Sequence, residues 1–217
     1  MEIVFLGMNE AGEEVLEWLE ARQDVKIEAV VEEEEGLQKI QDLRPELVVS
    51  SGFRHIIPEE LIQIPEKGVV NLHPSYLPYN RGAHPYIWPL IEDTPAGVSM
   101  HFMDEGVDTG PIVARKKVER KPDDTAETLR KRLMREQAEL FKQNWDNILR
   151  GEASEQGEGT MHRKKDLDEV SRLNLEEEMS LGKAIDLLRG LTYGEKKLAT
   201  FQKNGETYSV GVEIDKE

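Results

Sequence analysis

Asn71, His73 and Asp108 are the residues whose types and setting could do covalent chemistry in this chain. The apolar pair Val69-Val70 runs into Asn71-Leu72-His73 and breaks at Pro74. Residues i and i+2 of a strand project to the same side. Asn71 and His73 are therefore expected to emerge together from a strand end, where open sheets bind their ligands. The third group, Asp108, lies in the turn-rich stretch Asp104-Glu105-Gly106-Val107-Asp108-Thr109-Gly110-Pro111 between two strand-like runs. An amide, an imidazole and a carboxylate suit acyl transfer by direct attack. The imidazole handles a proton, the amide steadies a developing oxyanion and the carboxylate orients the imidazole. The structural alternatives are a pair of polar caps beside a proline turn and an ordinary Asp-x-Gly-Pro turn.

The elements that must position these groups follow from hydrophobic periodicity. Strands are predicted at Glu2–Leu6, Val25–Val31, Leu47–Ser51 and Val69–Leu72, with helices at Gly12–Arg22 and Leu37–Leu43 between them. This alternation predicts an α/β fold, a mostly parallel sheet flanked by helices. Gly97–Met103 and Ile112–Val118 read as two further strands joined by the Asp108 turn. Thr125 reads as the cap of one long amphipathic helix that ends near Gly151. Gly151–Gly159 is a polar loop, and it divides a catalytic domain, residues 1–158, from a small C-terminal subdomain, residues 159–217. The latter is expected to hold a helix at Leu181–Arg189 and a hairpin of Leu198–Gln202 with Thr207–Ile214, turned by Asn204-Gly205.

The totals narrow the function classes. With 28 Lys plus Arg against 44 Asp plus Glu, the net charge is −16. Such acidity disfavours extended contact with nucleic acid. The absence of cysteine excludes disulfides and a cysteine nucleophile. No stretch reaches the ~20 apolar residues of a membrane span. The N-terminus reads as a first strand, not a signal peptide, so a cytoplasmic protein is expected. Gly7-Met8-Asn9-Glu10-Ala11-Gly12 stands where a phosphate loop would, but it lacks the Lys-Ser/Thr of a P-loop and the middle glycine of a dinucleotide fingerprint. His73, His84 and His101 lack the i, i+4 helical spacing of a zinc site, and no metal is expected.

Asn71-x-His73-Pro74-Ser75-x-Leu77-Pro78 with Arg81-Gly82-Ala83, and Gly97-Val98-x-x-His101 through Asp108-x-Gly110-Pro111-Ile112, resemble the folate-dependent formyltransferases. Ser51-Gly52-Phe53-Arg54-His55-Ile56-Ile57-Pro58 is similar to that family's preceding loop. The resemblance covers about residues 45–115. It implies a Rossmann-like fold, N10-formyltetrahydrofolate as donor, and Asn71, His73 and Asp108 as the catalytic group. It also implies a folate pocket between the 52–58 loop and the 100–108 segment, involving Phe53, Ile57, Leu77, Met100 and Asp104. A carboxylate beside His73 would raise its pKa above the ordinary ~6.5. A partly protonated ring near neutrality is therefore expected.

The acceptor amine is approached by elimination within that family. Gly7–Gly12 departs from the phosphate loop of glycinamide-ribotide enzymes. Residues 161–217 carry 10 Lys plus Arg against 12 Asp plus Glu, which suits tRNA poorly. Gly159–Leu167 and Leu187–Tyr193 instead resemble segments of the nucleotide-sugar N-formyltransferases. The expected acceptor is thus a nucleotide-linked amino-dideoxy sugar. Ser75, Tyr76, Arg81, His162, Arg163 and Lys164 are the candidate substrate contacts, the last three as a basic patch near a diphosphate. A methionyl-tRNA enzyme, a formyltetrahydrofolate hydrolase and a non-catalytic folate-binding protein are the alternatives. The C-terminal hairpin gives a homodimer some standing.

Overall fold

The first half of the chain alternates strand and helix as its periodicity requires. The computed structural model describes residues 1–217. Its elements begin with β1 (Glu2–Leu6), α1 (Glu10–Glu20), β2 (Lys26–Val31), α2 (Gln38–Leu43), β3 (Leu47–Ser51), α3 (Glu59–Ile62) and β4 (Val69–His73). Then come β5 (Arg81–Gly82), α4 (Trp88–Ile91), β6 (Gly97–Phe102), β7 (Ile112–Lys117), α5 (Ala126–Gln143) and α6 (Trp145–Arg150). The remainder holds β8 (Met161–His162), α7 (Lys164–Val170), α8 (Leu181–Gly190), β9 (Thr192–Tyr193), β10 (Lys196–Lys197), β11 (Ala199–Lys203) and β12 (Glu206–Val210).

Six strands form one sheet in the order β2-β1-β3-β4-β6-β7. β2, β1, β3 and β4 run parallel, and β6 and β7 complete the sheet antiparallel. Parallel strands need both faces covered, and both are. Val15 and Leu19 of α1 and Leu129, Leu133 and Phe141 of α5 close one face. Leu37, Ile40, Ile57 and Leu61 close the other. The carboxyl ends of β1, β3 and β4 therefore share one edge, and β4 delivers Asn71 and His73 there. No helix is long and apolar enough to cross a membrane.

Of the helix boundaries that differ from the sequence expectation, two have identifiable reasons. Helix α1 begins at Glu10 and not at Gly12, because the Asn9 side chain accepts the Gly12 N–H and caps an extra turn. The long helix predicted from Thr125 breaks at Asn144, whose φ of −117° leaves the helical region. The Asn144 side chain donates to the Leu140 carbonyl and satisfies the interrupted ladder. The hairpin is present as β11 and β12, with Asn204 and Gly205 both at positive φ, as a type I′ turn demands. The pairing of β5 with β8 was not expected. Two residues leave no periodicity to read.

Gly151 ends α6 at φ +66° with nothing within 4 Å of a built Cβ. Gly151→Ala should therefore lose only the left-handed backbone preference, about 1 kcal/mol. Leu129→Ala, at a fully buried site, should lose about 2–5 kcal/mol. Urea unfolding of the two variants checks the ranking.

Candidate active site

Asn71, His73 and Asp108 meet at the carboxyl end of β4, joined by a second histidine. Asn71 on β4 and His101 on β6 are cross-strand partners, which puts their side chains on one face. The Asn71 Nδ2 lies 3.2 Å from His101 Nε2 and donates over 3.4 Å to Asp108 Oδ1. The same oxygen lies 3.5 Å from His73 Nδ1 and 3.4 Å from His101 Nε2. Asp108 Oδ2 accepts the Gly82 N–H at 2.8 Å. Asp108 reaches inward from a left-handed backbone, φ +53°. That conformation suits Asp better than most side chains.

Backbone carbonyls settle the ring orientations. His73 Nε2 faces the Asn80 carbonyl at 3.1 Å, and His101 Nδ1 faces the Phe102 carbonyl at 2.9 Å. A carbonyl only accepts, so each of those nitrogens carries a proton. In the neutral His73 ring this leaves Nδ1 bare beside Asp108, ready to take a proton. Asn80 presents its carbonyl from φ +59°, with its side chain bonded to Thr94 and Thr160. Gly82 and Gly110 are required here. A Cβ on Gly82 would lie 2.4 Å from the His162 carbonyl oxygen, and one on Gly110 would lie 2.0 Å from that of Phe102.

The titration behaviour reverses one expectation. Burial pushes His73 below its ordinary pKa, and the charge of Asp108 and the hydrogen bond to Asn80 oppose this without overcoming it. The partly protonated ring expected near neutrality is therefore corrected to a neutral one. Neighbouring charge was visible in the sequence, but burial was not. Burial also pushes the Asp108 carboxyl up, yet the groups facing it outweigh this and hold it well below the usual carboxylate range, most strongly once His73 takes a proton. The site thus places an ionised carboxylate against a neutral imidazole.

The family model described as formyl transferase matches residues 7–144. This chain belongs to that family. A second model, the N-formyltransferase dimerization C-terminal domain, matches residues 166–216. The methionyl-tRNA formyltransferase of Thermodesulfovibrio yellowstonii is 39% identical over 116 residues, 53% of this chain and 38% of that enzyme. The match thus spans well under half the length of that relative. The dTDP-4-amino-4,6-dideoxyglucose formyltransferase of Mycobacterium bovis is 33% identical over 163 residues, 73% of this chain and 68% of that one. Among solved structures, a Mycobacterium tuberculosis protein described as a likely sugar N-formyltransferase superposes with a TM-score of 0.87 at 26% identity, covering 100% of this chain and 98% of that one. The formyltransferase PseJ of Anoxybacillus kamchatkensis, in complex with UDP-4,6-dideoxy-4-formamido-L-AltNAc and tetrahydrofolate, gives 0.67 at 29% identity. It covers 78% of this chain and 89% of that one.

The other candidate residues are scattered. Leu77 and Met100 are fully buried and Ile57 nearly so, so their side chains offer a ligand little surface. Phe53 is half-buried, its ring 5.3 Å from that of His55. Asp104 ties its own turn together by accepting from Gly106 N and Thr109 Oγ1. Ser75 is covered, and its hydroxyl has no partner. The Tyr76 ring lies under the Arg115 guanidinium, 4.6 Å away. It packs on Gly97, at the opposite end of β6 from His101. Arg81 is committed to Gln156 Oε1 and the Gly157 carbonyl. His162 does not join an exposed basic patch. It is 8% exposed, stacked on Trp88 at 3.9 Å, with Nε2 3.2 Å from Glu92. Arg163 and Lys164 are exposed where α7 begins, and the charge of Lys164 reaches His84.

His101, the Asn80 carbonyl and the Gly82 N–H were missed as site members by sequence reasoning. His101 carried a signal, since two antiparallel strands closing on the Asp108 turn can place it opposite Asn71. The two backbone groups carried none. Imidazole titration followed by NMR should give His73 a pKa below ~6.5. Asp108→Asn removes a charge that raises that value, so it should move the titration lower still.

Proposed function

We propose that this protein transfers the formyl group of N10-formyltetrahydrofolate to the amine of a nucleotide-linked amino-dideoxy sugar. The observation that carries the acceptor is likeness over nearly the whole chain. The M. tuberculosis protein described as a likely sugar N-formyltransferase matches across 100% of this chain, and the dTDP-4-amino-4,6-dideoxyglucose enzyme matches 73% of it against 53% for the tRNA enzyme. The tetrahydrofolate and the formamido sugar in the Anoxybacillus complex support the same donor and product class.

In this reading the acceptor amine attacks the formyl carbon, forming a C–N bond and an oxyanion. The Asn71 amide donates to that oxyanion, an interaction strongest where charge develops. The attacking nitrogen becomes cationic and must lose a proton. His73 Nδ1 accepts it, and the adjacent Asp108 carboxylate balances the resulting imidazolium. Collapse of the intermediate breaks the bond to N10, and that nitrogen takes the proton from His73. Tetrahydrofolate and the formamido sugar leave, with charge and protons balanced. A neutral resting His73 is what this step requires, because a protonated ring could not act as base.

Residues 1–158 carry the chemistry in this proposal, and residues 159–217 form the subdomain that pairs two copies, supported by the dimerization-domain match at 166–216. A second reading, formylation of methionyl-tRNA, draws on the 39% identity of the catalytic segment to such an enzyme. The acidic balance of residues 161–217 weighs against it.

Tetrahydrofolate release from N10-formyltetrahydrofolate should depend on a dTDP-linked 4-amino-4,6-dideoxy sugar. Methionine-charged tRNA should give no release above the acceptor-free control. Equal release without any acceptor would instead identify a hydrolase.

A further inference from the structure

Between α6 and α7 the chain doubles back across the loops that hold the catalytic group. Ser154 exchanges two backbone hydrogen bonds with Ile112, just past the Asp108 turn. Gln156 Nε2 donates to the carbonyls of Asp108 and Gly110, at 3.0 and 2.6 Å. Its Oε1 accepts from Arg81 Nε and NH2. One side chain therefore clasps the turn that bears Asp108 to the segment whose Gly82 N–H binds the Asp108 carboxylate. Further on, Thr160 Oγ1 accepts the Asn80 N–H at 2.8 Å and donates to Asn80 Oδ1 at 3.2 Å. The Thr160 carbonyl accepts Arg81 N–H, and the His162 carbonyl accepts Ala83 N–H. Asn80 supplies the carbonyl that orients His73.

We propose that residues 154–162 form a strap that sets the catalytic geometry, with Gln156 the positioning residue for Asp108 and Thr160, through Asn80, that for His73. The argument is one of hydrogen-bond supply. Asp108 and Asn80 both sit at left-handed φ on short connecting turns, where a loop without outside anchors would sample other conformations. The strap provides those anchors, and it provides them to both turns at once. Neither Gln156 nor Thr160 is within hydrogen-bonding distance of an atom of Asn71, His73 or the Asp108 carboxylate. Their effect on chemistry is therefore wholly through placement.

The inference rests on the formyl-transfer reading of Asp108 and His73, and a double-mutant cycle separates the two. Gln156→Leu should lower kcat about a hundredfold, the size of loss expected when a catalytic group is displaced by about 1 Å. The KM for each substrate should stay within about threefold of wild type. In an Asp108→Asn background the same change should cost less than about threefold, because the group it positions is already lost. Thr160→Val should lower kcat likewise, and Thr160→Ser, which keeps the hydroxyl, should restore it. Gln156→Glu is the second variant should Gln156→Leu fail to fold. It keeps an acceptor for Arg81 but sets a carboxylate oxygen against the Asp108 and Gly110 carbonyls, so a kcat loss at least as large is expected. Equal losses in both backgrounds, or less than a twofold loss from Gln156→Leu in the wild-type background, would overturn the strap. Near-normal activity of Asp108→Asn alone would overturn the reading beneath it as well.

Discussion

Asp108 keeps a negative charge in a place where its carboxylate is only 12% exposed. A buried carboxylate without partners costs several kcal/mol and takes up a proton instead. This one holds its charge through the Gly82 N–H on one oxygen and the Asn71 amide on the other. That single requirement explains much of the surrounding sequence. Gly82 must lack a side chain because the His162 carbonyl occupies the space, and Gly110 because Phe102 does. His101 must stand opposite Asn71, which the antiparallel register of β4 and β6 ensures.

The sheet serves the same requirement. Its parallel strands end at one edge, and β4 brings Asn71 and His73 to that edge on one side of the pleat. The antiparallel pair β6 and β7 then returns the chain so that its connecting turn, with Asp108, closes on them. Burial does the rest of the electrostatic work. It keeps His73 neutral, while the concentrated hydrogen bonding keeps Asp108 ionised. Both groups titrate below their ordinary values.

Most of the fold was legible because long, periodic runs specify their own elements. β1 and β3 agree with the sequence reading residue for residue, and the Asn-Gly hairpin lies where its turn chemistry puts it. The helix break at Asn144 was not legible, because the apolar stripe continues through it and only the backbone changes. The meeting of Asn71, His73 and Asp108 was legible from residue type, strand alternation and family resemblance together. The surroundings of the other candidate residues were not. A charge run such as His162–Lys165 looks like a ligand patch in sequence, yet stacking on Trp88 removes His162 from the surface. Arg81 likewise looks like an anion contact and is engaged by Gln156. Long-range hydrogen bonds of this kind link residues some 75 positions apart, and no local pattern announces them.

The claim on which the account stands is that Asp108 and His73 act as one unit. Single-turnover formyl transfer by His73→Ala, Asp108→Asn and the double variant tests it directly. Each single change should slow transfer about a thousandfold, and the double should be no slower than the worse single, as expected of residues that share one task. Losses that multiply in the double variant, or either single variant remaining within about tenfold of wild type, would contradict it.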